Sequence, residues 1–142
     1  MNPSPDEIVA AARAWLGTPY RHQAATLGAG CDCLGLVRGV WRMLYRAEPM
    51  ALPPYGPDWR DLGHAGELLA IADRLLCPAG LPPQPGQVVL FRLNRLPLPK
   101  HCAILVTPDR FIHAEERLGV VEARLTDNWW RRVAGVYGFP GR

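Results

Sequence analysis

The sequence contains no stretch long and apolar enough to cross a bilayer. Its opening residues, Met-Asn-Pro-Ser-Pro-Asp-Glu, offer neither the basic segment nor the apolar segment of a secretory leader, so no signal peptide and no membrane insertion are expected. Charge is sparse and mixed: 16 Lys and Arg against 13 Asp and Glu leave +3, with no acidic tail or basic arm. That argues against a nucleic-acid partner, although a mild positive charge suits approach to an anionic polymer. Cys-x-x-Cys and His-Glu-x-x-His pairs are absent, which argues against a bound metal. No internal repeat or low-complexity tail interrupts the chain, and residues 1–142 read as one domain.

Cysteine is scarce too. There are four, Cys31, Cys33, Cys77 and Cys102. A chain of this length buries enough surface to fold without staples, and a bridge between the near neighbours Cys31 and Cys33 would strain the loop between them. Free thiols are therefore expected.

What is present is a change of period along the chain. Ser4 can cap a helix, Pro5 suits its first turn and Glu7 completes a capping box; Ile8, Ala11, Ala12, Trp15 and Leu16 then recur at helical spacing up to Gly17. After a loop over residues 18–30, Leu34, Val37, Trp41 and Leu44 mark a second helix, with Cys33 at or near its first turn. Gly35 and Gly39 inside it suggest that something approaches closely. A proline-rich stretch from Glu48 to Trp59 is expected to be irregular, and a third helix is expected from His64 to Leu76. Short strand-like runs follow at 87–93, 101–107, 110–114, 119–125 and 135–139, with Pro108 and Asp109 as a hairpin turn. Helices followed by an antiparallel meander make an α+β pattern.

Three residues stand out for their chemistry. A thiol attacks as thiolate, and the unpaired N–H groups at a helix start favour negative charge, so Cys33 is a candidate nucleophile as well as a candidate core cysteine. His101 opens an apolar strand and is a candidate general base. His113 lies across the Pro108–Asp109 turn, where it either orients His101 or is simply a surface histidine. His22 and His64 read as structural or solvent-facing. Trp129 and Trp130, followed by Arg131 and Arg132, read as half core and half rim rather than as a docking surface.

Several segments together resemble one family. Gly17-Thr18-Pro19-Tyr20-Arg21, Asp32-Cys33-Leu34-Gly35-Leu36, Pro85-Gly86-Gln87-Val88-Val89-Leu90-Phe91, His101-Cys102-Ala103-Ile104 and Phe111-Ile112-His113-Ala114 resemble the NlpC/P60 peptidases in order and spacing. The resemblance implies a papain-like α+β fold and cleavage of bacterial peptidoglycan stem peptides, typically between D-glutamate and a diamino acid. By position it implies Cys33 as nucleophile, His101 as base and His113 as polar third member, with no cofactor. Tyr20 matches a tyrosine that binds substrate or the oxyanion; a packed loop tyrosine is the plainer reading. Asp32 matches a residue that in some members grips the stem peptide's free amine; a helix N-cap is its plainer reading. Leu34 departs from the serine of most relatives, and Gly28 and Gly30 stand later than the glycines that usually follow the tyrosine, so a longer loop is expected.

The run Gly-Cys-Asp-Cys-Leu-Gly-Leu-Val looks most like the branch in phage tails and gene transfer agents. That likeness implies synthesis in the cytoplasm, assembly with tail-tip hub or baseplate proteins, and action in the periplasm of a target cell. A structural tail component without activity, and a related thiol amidase or acyltransferase, are the alternatives.

Overall fold

The computed structural model describes residues 2–46, 48, 67–93 and 97–141. The expected first helix is α1 (Pro5–Arg13), and its capping box forms: Glu7 N donates to Ser4 Oγ at 3.1 Å while Ser4 N donates to Glu7 Oε1 at 3.3 Å. The helix ends four residues before Gly17. Trp15 N and Leu16 N donate to Ala12 and Arg13 carbonyls, tightening the last turns, and Gly17 at φ +87 then donates to Val120 O. Only glycine takes that conformation at little steric cost.

The loop to the second helix carries a two-residue hairpin, β1 (Ala25–Thr26) with β2 (Gly30–Cys31), too short to leave a period in the sequence. The second helix is α2 (Cys33–Tyr45), and its two internal glycines have identifiable neighbours. A Cβ at Gly35 would collide with the Ala24 carbonyl, and one at Gly39 with the Trp15 indole. Gly39 thus lets α1 and α2 lie close over Trp15, itself only 2 % exposed.

The third helix is α3 (Glu67–Leu75). Residues 64–66 of its expected span, and all of the expected irregular stretch 48–59 except Glu48, lie outside the described residues. The remaining elements are β3 (Cys77–Pro78), β4 (Val88–Arg92), β5 (Pro99–Thr107), β6 (Arg110–Glu115), β7 (Gly119–Arg124), α4 (Asp127–Trp130) and β8 (Val133–Gly138). All five expected strands are there. β3 and α4 were not expected: two and four residues carry no readable period.

The six-stranded antiparallel sheet has the order β3-β8-β4-β5-β6-β7. Its two faces bury different sets. Val88, Leu90, Cys102, Ile104, Val106, Ile112 and Ala114 turn towards the helices and join the main core with Ile8, Trp15, Leu36 and Val40. Val89, Phe91, Ala103, Leu105 and Phe111 form a second, smaller core on the opposite face, closed by Leu125, Trp129 and Val133.

Candidate active site

The site is built where α2 begins against β5 and β6. Asp32 is the N-cap of α2: its Oδ1 accepts from Gly35 N at 2.7 Å, and its Oδ2 accepts from Gln23 N at 2.8 Å. These bonds satisfy donors that a helix start and a tight loop would otherwise leave open. Asp32 is 1 % exposed and acts as the cap, its plainer reading from the sequence. His22 Nδ1 lies 3.8 Å from Asp32 Oδ2. Tyr20 is half-buried, and its backbone bridges to Cys31, flanked by bonds from Cys31 N to Pro19 O and from Arg21 N to Cys31 O. That ladder holds the Tyr20 loop against the chain leading into Cys33.

Cys33 is the first residue of α2 and fully buried, at 0 % exposure. Its carbonyl accepts the Cys102 thiol at 3.2 Å, which places the start of α2 beside the His101–Cys102 step of β5. The neighbouring Cys31 thiol is pushed up to about 12, by burial first and then by the charges of Asp32 and Cys33, so it stays protonated. All four cysteines are free thiols, and only Cys77 is exposed. Leu34, in place of the usual serine, lines a mostly apolar cavity with Val37, Trp41, Leu68, Ala72 and Val88, to which Arg38 and Glu48 also contribute.

His101 and His113 are brought together. The pairing of Ile104 with Ile112 sets the two histidines diagonally across β5 and β6, and His101 Nε2 lies 2.9 Å from His113 Nδ1 with the rings near perpendicular, at 80°. Both are almost fully buried. Burial, and then the neighbouring His101, lower His113 to about 4, while the negative charge of a Cys33 thiolate pulls the other way. His113 is therefore neutral at neutral pH and within electrostatic reach of Cys33. With the shared proton on His101 Nε2, His113 Nδ1 accepts it and His101 Nδ1 is left as the basic nitrogen. Strand alternation puts the imidazoles on the face of Phe91 and Phe111, whereas Cys102 and Ile112 face α2.

Two contacts were not foreseen from sequence: the Cys102 thiol on Cys33 O, and the Trp129 indole against both imidazoles, with ring centroids 6.1 Å from His101 and 5.6 Å from His113. The Trp-Trp pair does divide as expected, Trp129 packed on the smaller core and Trp130 41 % exposed. Among the described residues no group of three or more His, Cys, Asp or Glu side chains is placed to hold a metal ion.

A cysteine heading a helix that packs on an antiparallel sheet, with a histidine pair on adjacent strands, defines a papain-like α+β fold. Residues 17–136 match the NlpC/P60 family, and the chain belongs to it. A curated relative from Haemophilus influenzae, named "Probable endopeptidase", is 27 % identical over 123 residues, covering 84 % of this chain and 64 % of that protein. The chain thus spans less than two thirds of that relative's length. An NlpC/P60 family protein from Bacillus cereus superposes with a TM-score of 0.68 at 19 % identity, over 98 % of this chain and 41 % of that one. The NlpC/p60 domain of the peptidoglycan hydrolase SagA superposes at 0.62 with 17 % identity, over 96 % and 100 %. These two likenesses bear on the fold.

Proposed function

We propose that this chain is a cysteine peptidase that hydrolyses peptidoglycan stem peptides, at the bond between D-glutamate and the diamino acid. The observation that carries the reading is the 2.9 Å His101 Nε2–His113 Nδ1 bond, with His113 in electrostatic reach of Cys33 at the start of α2, in a chain of the NlpC/P60 family. His101 Nδ1 takes the proton of Cys33 and the sulfur attacks the scissile carbonyl. The C–N bond breaks as His101 returns that proton to the leaving amine, giving a thioester. Water then attacks the thioester, loses a proton to His101 and releases the new carboxylate and Cys33. N–H groups at the start of α2 stabilise the oxyanion. His113, kept neutral, accepts from His101 throughout and so favours the imidazolium that forms. Tyr20, whose backbone bridges to Cys31, is proposed to bind substrate or the oxyanion. No cofactor takes part.

The expected test is digestion of muropeptides followed by mass spectrometry of the products. Wild-type protein releases cut stems, and Cys33→Ala lowers the rate by about 10⁴-fold or more. Cutting by Cys33→Ala at the wild-type rate would sink the mechanism; products severed at the sugar–peptide bond would reassign the chain as an amidase.

The complete burial of Cys33 favours one second reading, a structural component that keeps the fold without turnover. In a Cys77→Ser background, Cys33 of an active enzyme is alkylated much faster than the fold opens globally. Alkylation only at the global unfolding rate supports the structural reading.

We further propose that the chain acts in the tail of a phage or gene transfer agent, docked to hub or baseplate proteins and opening the wall of the target cell. The support is the run of residues from Gly30 to Val37. Finding the chain in purified particles, and loss of wall penetration by particles carrying Cys33→Ala, are the expected results.

A further inference from the structure

The smaller face of the sheet holds an arrangement that the peptidase mechanism leaves unused. Trp129 sits on a short helix after β7, with its N–H donated to the Thr126 hydroxyl, and the chain turns back so that Arg132 N donates to Trp129 O. Its indole meets His113 edge to face at 80° and 5.6 Å, lies at 35° to His101 at 6.1 Å, and packs on Phe91 at 4.9 Å and Phe111 at 5.2 Å. The Arg132 guanidinium lies over the same indole, 5.4 Å from its centre. The two imidazoles are 6 % and 5 % exposed, while Trp129 itself is half-buried, so the indole is their outer layer.

We propose that Trp129 is a positioning residue: it roofs the His101–His113 hydrogen bond, keeps water from it, and fixes the angle at which His101 donates to His113. Several aromatic walls constrain the pair. Phe91 flanks His101 and Phe111 flanks His113, but both come from the sheet itself, whereas Trp129 closes the pair from outside it. A hydrogen bond between two rings is weakened when water can offer each ring a competing partner, and an apolar lid removes that competitor. The Arg132 guanidinium, stacked on the same indole, helps hold it in place. Among the described residues, the charged or titratable groups near the pair include Cys33 at the start of α2, each histidine towards the other from β5 and β6, and Arg132 on the indole. The low proton affinity of His113 is consistent with such a roof.

The catalytic part of this inference rests on the peptidase reading; the roof itself does not. NMR titration of the imidazole nitrogens reads it directly. In Trp129→Ala the His113 midpoint moves upwards from near 4 towards its ordinary 6.5, and the proton shared with His101 exchanges faster with solvent. Muropeptide turnover falls by about ten- to a hundredfold in kcat, with KM moved less than about twofold, because a small displacement of the base costs this much. Trp129→Phe restores most of the loss, and Trp130→Ala leaves both readouts unchanged. An unshifted His113 titration in folded Trp129→Ala overturns the proposal, as does a kcat loss that the phenylalanine fails to restore. If the alanine variant does not fold, Trp129→Phe alone decides, since a smaller ring gives a smaller upward shift and no shift refutes the roof. Wild-type protein inert on muropeptides would remove the peptidase reading, and the titration alone would then decide the role of Trp129.

Discussion

On one face of the sheet, Val88, Leu90, Cys102, Ile104 and Ile112 meet three helices; on the other, Phe91, Phe111, His101 and His113 meet one indole and a few aliphatic side chains. The helix-covered face is aliphatic and deep, and most of the buried apolar surface lies there. The opposite face is aromatic and carries the titratable pair. Most of the apolar core and the histidine pair thus lie on different sides of the same strands, while Cys33 belongs to the helix side, and β5 contributes to both faces through alternate residues. A consequence is that stability and the histidine titration should respond separately to substitution, and three experiments can break or sharpen that separation.

The largest effect is expected on the helix side. Leu36 in α2 is fully buried in the main core. Leu36→Ala should cost about 2–5 kcal/mol, measured by denaturant unfolding, while leaving the His113 titration in place. A shift of that titration by a pH unit or more would show that the faces are coupled.

A smaller effect is expected from acid on the aromatic side. His113 is held near 4, below its ordinary 6.5, so the folded chain refuses a proton that the unfolded chain accepts. Its contribution is fully present above about pH 6.5 and is lost as pH falls towards 4. Between pH 7 and pH 5 this amounts to about 2 kcal/mol. His113→Phe, which keeps an aromatic ring in the same packing, should remove that part of the acid sensitivity; an identical pH profile in the variant would disprove the assignment.

The smallest effect falls at the seam between the two sides. Asp32→Ala removes a cap and leaves the Gly35 and Gln23 N–H groups unanswered. A loss of about 1–2 kcal/mol is expected, with Asp32→Asn recovering much of it. If Asp32→Asn is as stable as wild type yet changes the preference for stems with a free amine, the carboxylate reaches substrate after all.

Much of this is legible in the sequence because it is local. The Ser4–Glu7 box, the start of α2 at Asp32 and Cys33, and the Pro108–Asp109 turn each depend on a few adjacent residues, and each appears where the spacing predicts it. The diagonal contact of His101 and His113 also follows from one turn, and the structure supplies it. The face of the sheet that the histidines occupy is not legible: residues 102–106 are apolar at every position, so alternation gives no sign of which side is which. Trp129 escapes notice for a related reason. Its helix has four residues and no period, and its partners come from strands 16 to 38 positions earlier in the chain. The early end of α1 is hidden because Trp15 and Leu16 continue the apolar spacing while their N–H bonds already belong to tight turns.

The strand order carries one more lesson. β8 occupies the slot between β3 and β4, so β4 gains its second neighbour only from a strand that follows it by some forty residues and four other elements. A nascent chain halted before Val133 offers β4 with one edge open, and such an edge invites chaperones and proteases. Chain order then doubles as a safeguard: fragments that lack β8 keep an exposed edge and are cleared before they can accumulate.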